Sequence, residues 1–170
     1  MERIRLILSD VDGVLTDGGL IYGYRFGAES ELKRFHVRDG MGIRLWQEAG
    51  RQFGLITARD SSIVARRAKE LKIDLVRQGV GDKLSAAESI VANLGLGWDE
   101  VCYIGDDFPD LSMIQRAGFG VTVADAPQAI REAADWVTSI PGGSGAVREL
   151  IEKLLVAQGL WSGVLKRYSS

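Results

Sequence analysis

Two aspartates separated by one residue, Asp10 and Asp12, follow directly on the mostly apolar run 4–8. Side chains alternate along an extended chain, so residues two apart can face the same side at the end of a strand. Carboxylates held that close repel each other unless a cation or a shared proton lies between them. Mg²⁺ is the usual cation for such oxygen ligands. The pair therefore predicts a hard-cation site with an acid available for proton transfer.

Three more carboxylates follow a second apolar run, in the segment 105–110 (Gly-Asp-Asp-Phe-Pro-Asp), and Thr57 follows a third. An isolated aspartate at a strand end usually caps a helix or closes a turn. Five acids at two such ends, with a hydroxyl at another, favour one functional site over five separate caps. A phosphoacceptor receiver domain also gathers acids and a lysine at strand ends, but it lacks the pattern of residues 10–16.

Short apolar runs alternate with longer amphipathic segments, which predicts parallel strands joined by helices. The predicted strands are 4–8, 53–56, 75–76, 101–104 and 119–123, with 136–137 as a short sixth. The predicted helices are 40–49, 61–71, 82–94, 109–117, 127–134 and 145–158, with Ser61 and Asp125 as candidate caps. This order predicts a doubly wound, Rossmann-like α/β fold with a parallel sheet and right-handed crossovers.

One interval, 18–37, interrupts the alternation between the first strand and its helix. Possible strands at 20–24 and 31–37, around a turn at 27–29, predict a β-hairpin insertion. In doubly wound sheets, ligands bind at the carboxyl ends of strands beside the point where the strand order reverses. The acids and Thr57 fall at those ends, so the hairpin is predicted to lie near the site.

The composition is that of one globular domain without a nucleic-acid or membrane partner. The chain has 170 residues, 46% hydrophobic and 26% charged, and 21 basic against 23 acidic side chains give a net charge of −2. Domains of roughly 100–200 residues are usual, so residues 1–170 are expected to form a single one. Nonspecific nucleic-acid or membrane binders usually carry a basic excess, which this chain lacks.

The sequence also predicts a cytoplasmic location. Its apolar runs fall well short of the roughly 20 residues of a membrane span. Residues 1–13 lack the apolar stretch of a signal peptide. Cys102 is the only cysteine, so an internal disulfide is excluded, which fits a reducing compartment.

Residues 10–17, Asp-Val-Asp-Gly-Val-Leu-Thr-Asp, resemble the first motif of the haloacid dehalogenase superfamily of phosphatases. Ile56-Thr57 resembles the second motif, Lys83 the third and residues 105–110 the fourth. A lone Asp-x-Asp is a weak signal, whereas four motifs in order, each in its expected context, are specific. The resemblance implies a haloacid dehalogenase-type fold and phosphoryl-transfer chemistry.

Within that superfamily the chain is similar to the 3-deoxy-D-manno-octulosonate 8-phosphate phosphatases, a family of small enzymes without a cap domain. The likeness covers residues 4–158 and is carried by the segments 16–20, 35–43, 56–59 and 142–149. It implies a small phosphorylated sugar acid as substrate, in lipopolysaccharide precursor synthesis. It also implies a homotetramer in which the hairpins of neighbouring copies associate around a central axis.

Two alternatives stay open beside this resemblance. Sister enzymes hydrolyse nine-carbon, sialic-acid-type sugar 9-phosphates, but they tend to carry Glu where this chain has Arg59, which favours the eight-carbon substrate. Ser144 replaces an arginine often found in the C-terminal glycine-rich motif, Ala58 replaces a glycine, and the tail 159–170 follows no recognised pattern. A non-catalytic interaction module of the same fold is the other alternative, and the intact motif residues argue against it.

The resemblance implies a two-step phosphoryl transfer. Asp10 would attack phosphorus and form an aspartyl phosphate. Asp12 would protonate the leaving sugar oxygen and then activate water for the second step. Mg²⁺ would be held by Asp10, the Asp12 carbonyl and Asp106, where it neutralises the transferred oxygens.

The other motif residues are implied to support this chemistry around the phosphate. Thr57, predicted at a helix N-terminus, would hold a phosphate oxygen. Lys83 would bring positive charge to the nucleophile and the phosphate. Either Asp107 or Asp110 would complete the outer shell of the metal and orient Lys83.

Three residues are candidates for sugar recognition: Arg59, Gly40 and Arg148. Arg59 lies just past the Thr57 turn and could bind the sugar carboxylate through both guanidinium arms, or it could be a solvated arginine at a helix start. Arg148 could bind substrate or pair with a neighbouring acid. Gly40 belongs to the segment 35–43 that carries the resemblance.

Overall fold

Six parallel strands form the central sheet of the structure, a computed structural model that describes residues 1–25 and 28–169. The strands within these residues are β1 (Leu6–Ser9), β2 (Ile21–Arg25), β3 (Ala28–Leu32), β4 (Gln52–Ile56), β5 (Leu75–Arg77), β6 (Val101–Gly105), β7 (Phe119–Thr122) and β8 (Trp136–Val137). The sheet order is β5-β4-β1-β6-β7-β8, and β2 and β3 form a separate antiparallel hairpin. The predicted doubly wound α/β fold with a hairpin insertion is confirmed.

Seven helices flank the sheet within the described residues. They are α1 (Val37–Glu48), α2 (Ser62–Glu70), α3 (Lys83–Asn93), α4 (Leu111–Arg116), α5 (Gln128–Ala133), α6 (Ala146–Ala157) and α7 (Trp161–Tyr168). Single turns of 3-10 helix precede β6, at Trp98–Glu100, and α4, at Phe108–Asp110. None of the helices in this part of the chain has the length and apolar character needed to cross a membrane.

The core lies around β1 because helices cover both faces of a doubly wound sheet. Every residue of β1 and of β6 is buried. Leu6 pairs with Gln52 of β4 on one side and with Val101 of β6 on the other. β1 therefore occupies the middle of the sheet, and the residues that follow it emerge between the ends of its two neighbours.

The hairpin differs from the sequence prediction in its second strand. β3 spans Ala28–Leu32 rather than 31–37, with Tyr22 opposite Glu31. The predicted turn included Gly27, which lies outside the described residues. His36 belongs to the helix rather than to the strand, because its Nδ1 accepts a hydrogen bond from the Arg38 amide and caps α1. The helix therefore begins at Val37 instead of 40.

Two predicted caps and the tail also differ. Ser61 precedes α2 without a side-chain capping bond, and its hydroxyl instead donates to Glu31 at 2.9 Å. Asp125 does not cap α5 but accepts a hydrogen bond from the Gly142 amide at 2.9 Å. The tail, left without an assigned structure from sequence, contains α7, which packs against α6.

Candidate active site

The strand order brings the predicted acids into one pocket at the carboxyl end of the sheet. β1 lies between β4 and β6, so the segments that follow these three strands converge. The pocket has a volume of about 180 Å³. Its lining residues are Asp10, Asp12, Thr57, Ala58, Arg59, Lys83, Asp106, Asp107, Pro109 and Asp110. Eight of the ten residues predicted for the site are thus gathered at one place.

Asp10 occupies the floor of the pocket. The end of β1 fixes its backbone, whose amide donates to the Ile104 carbonyl at 2.9 Å. Only 7% of the residue is exposed, and Lys83 Nζ lies 2.9 Å from Oδ1. Burial and the nearby charge of Asp110 raise the pKa of Asp10 to about 6, against the opposing effect of Lys83.

Asp110 is the acid that orients Lys83, a choice that the sequence left open between Asp107 and Asp110. Its Oδ1 accepts from Lys83 Nζ at 2.6 Å and from the Tyr103 hydroxyl at 2.5 Å. Its Oδ2 accepts from the amides of Asp106 and Asp107, at 3.0 and 3.2 Å. Four donors thus hold one carboxylate that is only 1% exposed.

Asp107 has a different position from Asp110. Its carboxylate accepts a hydrogen bond from the Phe108 amide at 2.8 Å and caps the 3-10 turn that leads into α4. The residue is exposed at the pocket edge. It therefore stabilises the loop that carries the acids, while Asp110 holds the lysine.

The acids offer a set of oxygens that fits a divalent cation. Carboxylate oxygens of Asp10, Asp106 and Asp110 lie within 4.8 Å of one another. Burial, followed by the charges of Asp10 and Asp110, raises the pKa of Asp106 to about 8. Hard oxygen ligands that repel one another without a cation suit Mg²⁺. Since Asp110 already accepts four hydrogen bonds, Asp10 and Asp106 are the side chains free to ligate.

Gly13 makes the position of Asp106 possible. Its φ is +90°, and a Cβ at this position would lie 2.0 Å from Asp106 Oδ2. A side chain at residue 13 would therefore both strain the backbone and displace the carboxylate from the pocket. The glycine-rich segment supports the same loop from outside, because the Gly143 amide donates to the Val14 carbonyl at 2.9 Å.

Mg²⁺ affinity is expected to fall as the solution is acidified. The pKa values of about 6 for Asp10 and about 8 for Asp106 mean that a bound cation must displace protons at neutral pH. The apparent Kd should rise by up to about tenfold for each pH unit between 8 and 6, where Asp106 must lose a proton, and more steeply below 6, where Asp10 must lose one as well. Calorimetric titrations in buffers of different ionisation enthalpy would measure the protons released, and an affinity unchanged between pH 6 and 8 would contradict the expectation.

Asp12 faces the hairpin rather than the other acids. Its Oδ1 forms an ion pair with Lys33 Nζ, and Arg59 Nε lies 3.8 Å from Oδ2. Glu31 of β3 accepts from Arg59 at 3.2 Å and from the Ser61 hydroxyl at 2.9 Å. The hairpin thus contributes charged side chains to the edge of the pocket.

Sequence reasoning did not identify Lys33, Glu31, Ser61 or Tyr103 as site residues. Lys33 and Glu31 lie on an insertion whose path over the sheet depends on tertiary packing. The sequence contains one indication of their role: they are charged residues in a hairpin that follows the strand leading to Asp10. Tyr103 lay in an apolar run predicted as core, and its buried hydroxyl needs a partner that only the fold supplies.

Thr57 lies just after β4. The sequence prediction that it stands at a helix N-terminus is wrong. The helix α2 begins only at Ser62, after a turn. The Thr57 side chain is buried, its Oγ1 accepts from the Arg59 amide at 3.3 Å, and its own amide donates to the Arg77 carbonyl at 2.9 Å. The hydroxyl is therefore fixed by its turn, and its proton can point into the pocket.

Gly40 and Arg148 do not line this pocket. Gly40 is buried in α1 beside a larger cleft of about 680 Å³ between α1 and α2, and a Cβ there would lie 2.6 Å from Arg67 Nη2. Arg148 pairs with Glu152 at 2.5 Å, and its guanidinium lies 5.9 Å from the centre of the Trp161 ring. Both residues have packing roles within this chain, and their substrate-binding roles stay predictions.

Comparison with known proteins connects this geometry to a family. A profile described as haloacid dehalogenase-like hydrolase matches residues 59–150. The 3-deoxy-D-manno-octulosonate 8-phosphate phosphatase KdsC of Escherichia coli K12 is 44% identical over 158 residues, covering 93% of this chain and 82% of the relative.

Two solved structures superimpose closely on the chain. The Moraxella catarrhalis phosphatase of the same name, in complex with magnesium, phosphate and KDO, gives a TM-score of 0.93 at 40% identity, covering 98% of this chain and 94% of the other. The cobalt-bound Haemophilus influenzae enzyme gives 0.87 at 41% identity, covering 93% and 91%. The chain belongs to the haloacid dehalogenase-like hydrolases and, within them, to the family of 3-deoxy-D-manno-octulosonate 8-phosphate phosphatases.

Proposed function

We propose that this protein is a magnesium-dependent phosphatase that hydrolyses 3-deoxy-D-manno-octulosonate 8-phosphate to the free sugar acid and phosphate. The observation that carries the proposal is the buried arrangement of Asp10, Lys83 and Asp110 beside Asp106, in a chain this similar to the named phosphatases. Asp10 is placed as a nucleophile, Lys83 as a fixed positive charge, and Asp10 and Asp106 as oxygen ligands for a metal ion. Phosphoryl transfer requires these three features in one pocket.

In the first step, Asp10 is the nucleophile. A carboxylate oxygen forms a bond to phosphorus while the bond from phosphorus to the sugar oxygen breaks. The Asp12 carboxyl gives its proton to the departing oxygen, so that an alcohol leaves instead of an alkoxide. Lys83, 2.9 Å from Asp10 Oδ1, supplies positive charge beside the transferred group.

In the second step, Asp12 acts as a base. Its carboxylate accepts a proton from a water molecule whose oxygen attacks phosphorus, and the bond from phosphorus to the Asp10 oxygen breaks. Inorganic phosphate leaves and the Asp10 carboxylate is regenerated. The Thr57 hydroxyl lines the same pocket and would donate a hydrogen bond to a phosphate oxygen in both steps.

Asp10, the Asp12 carbonyl and Asp106 would hold the Mg²⁺, with Asp107 and Asp110 outside them. When bound, Mg²⁺ neutralises negative charge on the phosphoryl oxygens and on the nucleophile. The chain's own contribution is to fix these ligands, since Asp110 is held by four donors and Gly13 leaves room for Asp106.

The eight-carbon substrate is supported by Arg59. Its exposed guanidinium lies at the pocket edge, where a carboxylate of the sugar can reach it. Hydrogen bonds to Tyr22 and to Glu31 raise its pKa further, so it stays charged. A planar guanidinium binds a carboxylate through two parallel hydrogen bonds. Gly40 and Arg148 would join the substrate site only through an assembly that brings them near the acidic pocket of a neighbouring copy.

Phosphate release with and without Mg²⁺ tests this function. We expect metal-dependent hydrolysis of the eight-carbon sugar 8-phosphate at a kcat/KM at least about tenfold above that for a nine-carbon sialic-acid-type 9-phosphate. Both sugars carry a carboxylate, but the nine-carbon chain places it one carbon farther from the phosphate, and a charged hydrogen bond to Arg59 lost in this way is worth about 1–3 kcal/mol. The reverse preference would identify the nine-carbon enzyme. Absence of release with any sugar phosphate would identify an interaction module of the same fold.

The hairpin supports a homotetramer. Ile21 is 52% exposed, Tyr22 71% and Leu32 56%, so apolar side chains cover one protruding element. Pairing of hairpins between copies would bury this surface and restrict water at the pockets. Light scattering at the concentration of the activity assay tests this assembly, and a fully active monomer would overturn it.

Two further expectations belong to the proposal. Residues 1–170 are proposed to form one domain, because a single buried cluster runs from Ile4 to Val164 across the central sheet. A cytoplasmic location is supported by Cys102, which is fully buried and whose pKa is raised by that burial. A thiol of this kind is inert and behaves as a small apolar side chain.

A further inference from the structure

Lys33 follows directly on the strand β3, and the mechanism above gives it no role. Its side chain is only 1% exposed. It lies between two carboxylates: Nζ contacts Asp12 Oδ1 and is 3.3 Å from Glu31 Oε1. Lysines are rarely this buried unless they are paired.

The burial of Lys33 requires both acids. Moving an ammonium group out of water is unfavourable unless good ion-pair geometry offsets the loss of hydration. Asp12 and Glu31 provide that geometry from the pocket and from the hairpin. Glu31 is itself held by Arg59 and by the Ser61 hydroxyl. Lys33 is therefore a fixed group rather than a mobile surface lysine.

The two oxygens of Asp12 are not equivalent in this arrangement. Oδ1 accepts from Lys33. Oδ2 is buried and accepts no hydrogen bond from any group in the described part of the chain. Arg59 Nε, which forms an ion pair with Oδ2, is 3.8 Å away, beyond hydrogen-bond distance. One oxygen is thus anchored and the other is available.

We propose that Lys33 is a positioning residue that anchors Asp12 through Oδ1 and leaves Oδ2 as the atom that exchanges the proton with the leaving sugar oxygen and with water. The inference rests on the proposed phosphatase function. In the first step the proton moves from Oδ2 to the sugar oxygen as the bond from that oxygen to phosphorus breaks and the Asp10 bond forms. In the second step Oδ2 takes a proton from the attacking water.

With Lys33 in this role, the hairpin contributes to catalysis as well as to assembly. Lys33 connects Asp12 to Glu31, and Glu31 connects in turn to the turn that carries Arg59 and Ser61. Displacement of the hairpin would release Asp12 from its anchor. A misplacement of about 1 Å in a reacting group can cost about 10²-fold in rate.

A comparison of leaving groups tests the role of Lys33. In Lys33→Met, kcat/KM for the sugar phosphate should fall about 10- to 100-fold, because an alkoxide needs the proton. For p-nitrophenyl phosphate, whose leaving group needs no proton, kcat/KM should fall less than about threefold. This parameter covers only the steps through aspartyl-phosphate formation, so water activation does not enter. Lys33→Arg, which keeps a charged donor, should recover part of the loss.

The matched control is Arg34→Met. Arg34 is the next residue of the same segment, its side chain is 70% exposed, and it pairs with Asp17 instead of Asp12. Both substrates should be turned over by this variant as by the unmodified protein. Thermal melting shows whether Lys33→Met folds, and Lys33→Gln, which keeps a polar group, replaces it if it does not.

Two outcomes overturn the positioning role. An equal loss for both substrates would place Lys33 with the phosphate or the nucleophile, and no loss for either would make it a purely structural residue. Failure of the proposed function is separable from both, because the unmodified protein would then not hydrolyse the sugar acid phosphate. The same comparison can be made with any alkyl phosphate that the protein does hydrolyse.

Discussion

Replacing Asp10 with asparagine is expected to lower phosphatase turnover by roughly 10⁴-fold or more, the range seen when an enzyme loses its nucleophile. The amide oxygen of asparagine is too weakly nucleophilic to attack phosphorus. The side chain keeps its size, so the 7% exposed position at the end of β1 stays filled. Steady-state phosphate release at saturating Mg²⁺ measures the loss.

The same substitution is expected to leave the metal-free protein at least as stable as before. Because the pKa of Asp10 is raised to about 6, the folded state disfavours its charged form relative to the unfolded chain. The stability associated with the neutral form is therefore lost as the pH rises from about 4 to 6, and a neutral asparagine avoids that loss. Lys83 keeps its partner Asp110 at 2.6 Å.

Asp17→Asn is the matched control for the Asp10 substitution. Asp17 belongs to the same motif, but its carboxylate pairs with Arg34 at 2.8 Å and lies on the exposed side of the loop. Its activity should stay within about threefold of the unmodified protein, as surface substitutions usually have small effects. More than about 1% residual turnover in freshly prepared Asp10→Asn, with deamidation excluded by mass spectrometry, would contradict covalent catalysis by Asp10.

The sheet and the central acids could be predicted from the sequence because local rules determine them. A strand covered on both faces is an apolar run, and the chain leaves such a strand at a polar residue, as β1 does before Asp10. Parallel topology then places the ends of β1, β4 and β6 at one edge. The residues that directly follow these strands therefore line one pocket, and their positions along the chain are enough to predict it.

Residues that reach the pocket from other elements could not be predicted in this way. The choice between Asp107 and Asp110 depends on a 3-10 turn that points one carboxylate at Lys83 and the other at the Phe108 amide. Both acids have the same local signal in sequence. The position of Lys33 depends on how the hairpin packs over the sheet. Ser61 has the sequence context of a helix cap, but in the structure its hydroxyl donates to Glu31 instead.

Substitution of Asp110 by alanine is expected to destabilise the protein by about 3–5 kcal/mol, which is the usual cost of removing one partner of a buried ion pair. Lys83 and the Tyr103 hydroxyl each lose an acceptor, and so do the amides of Asp106 and Asp107. For a chain of 170 residues this corresponds to a fall in Tm of roughly 6–20 °C. Thermal melting of the metal-free protein measures it.

Asp107→Ala is the matched control for Asp110→Ala. It shows whether a loss of stability is specific to Asp110 or follows from removing any acid of this loop. The Asp107 side chain only caps the 3-10 turn, with the Phe108 amide at 2.8 Å, so its loss should cost only about 1 kcal/mol. At a temperature where both variants are folded, Asp110→Ala should also lose about 10²-fold in kcat, because Lys83 is then no longer held at a fixed distance from Asp10. Equal destabilisation by the two substitutions would mean that the loop, and not the bond from Lys83 to Asp110, stabilises the site.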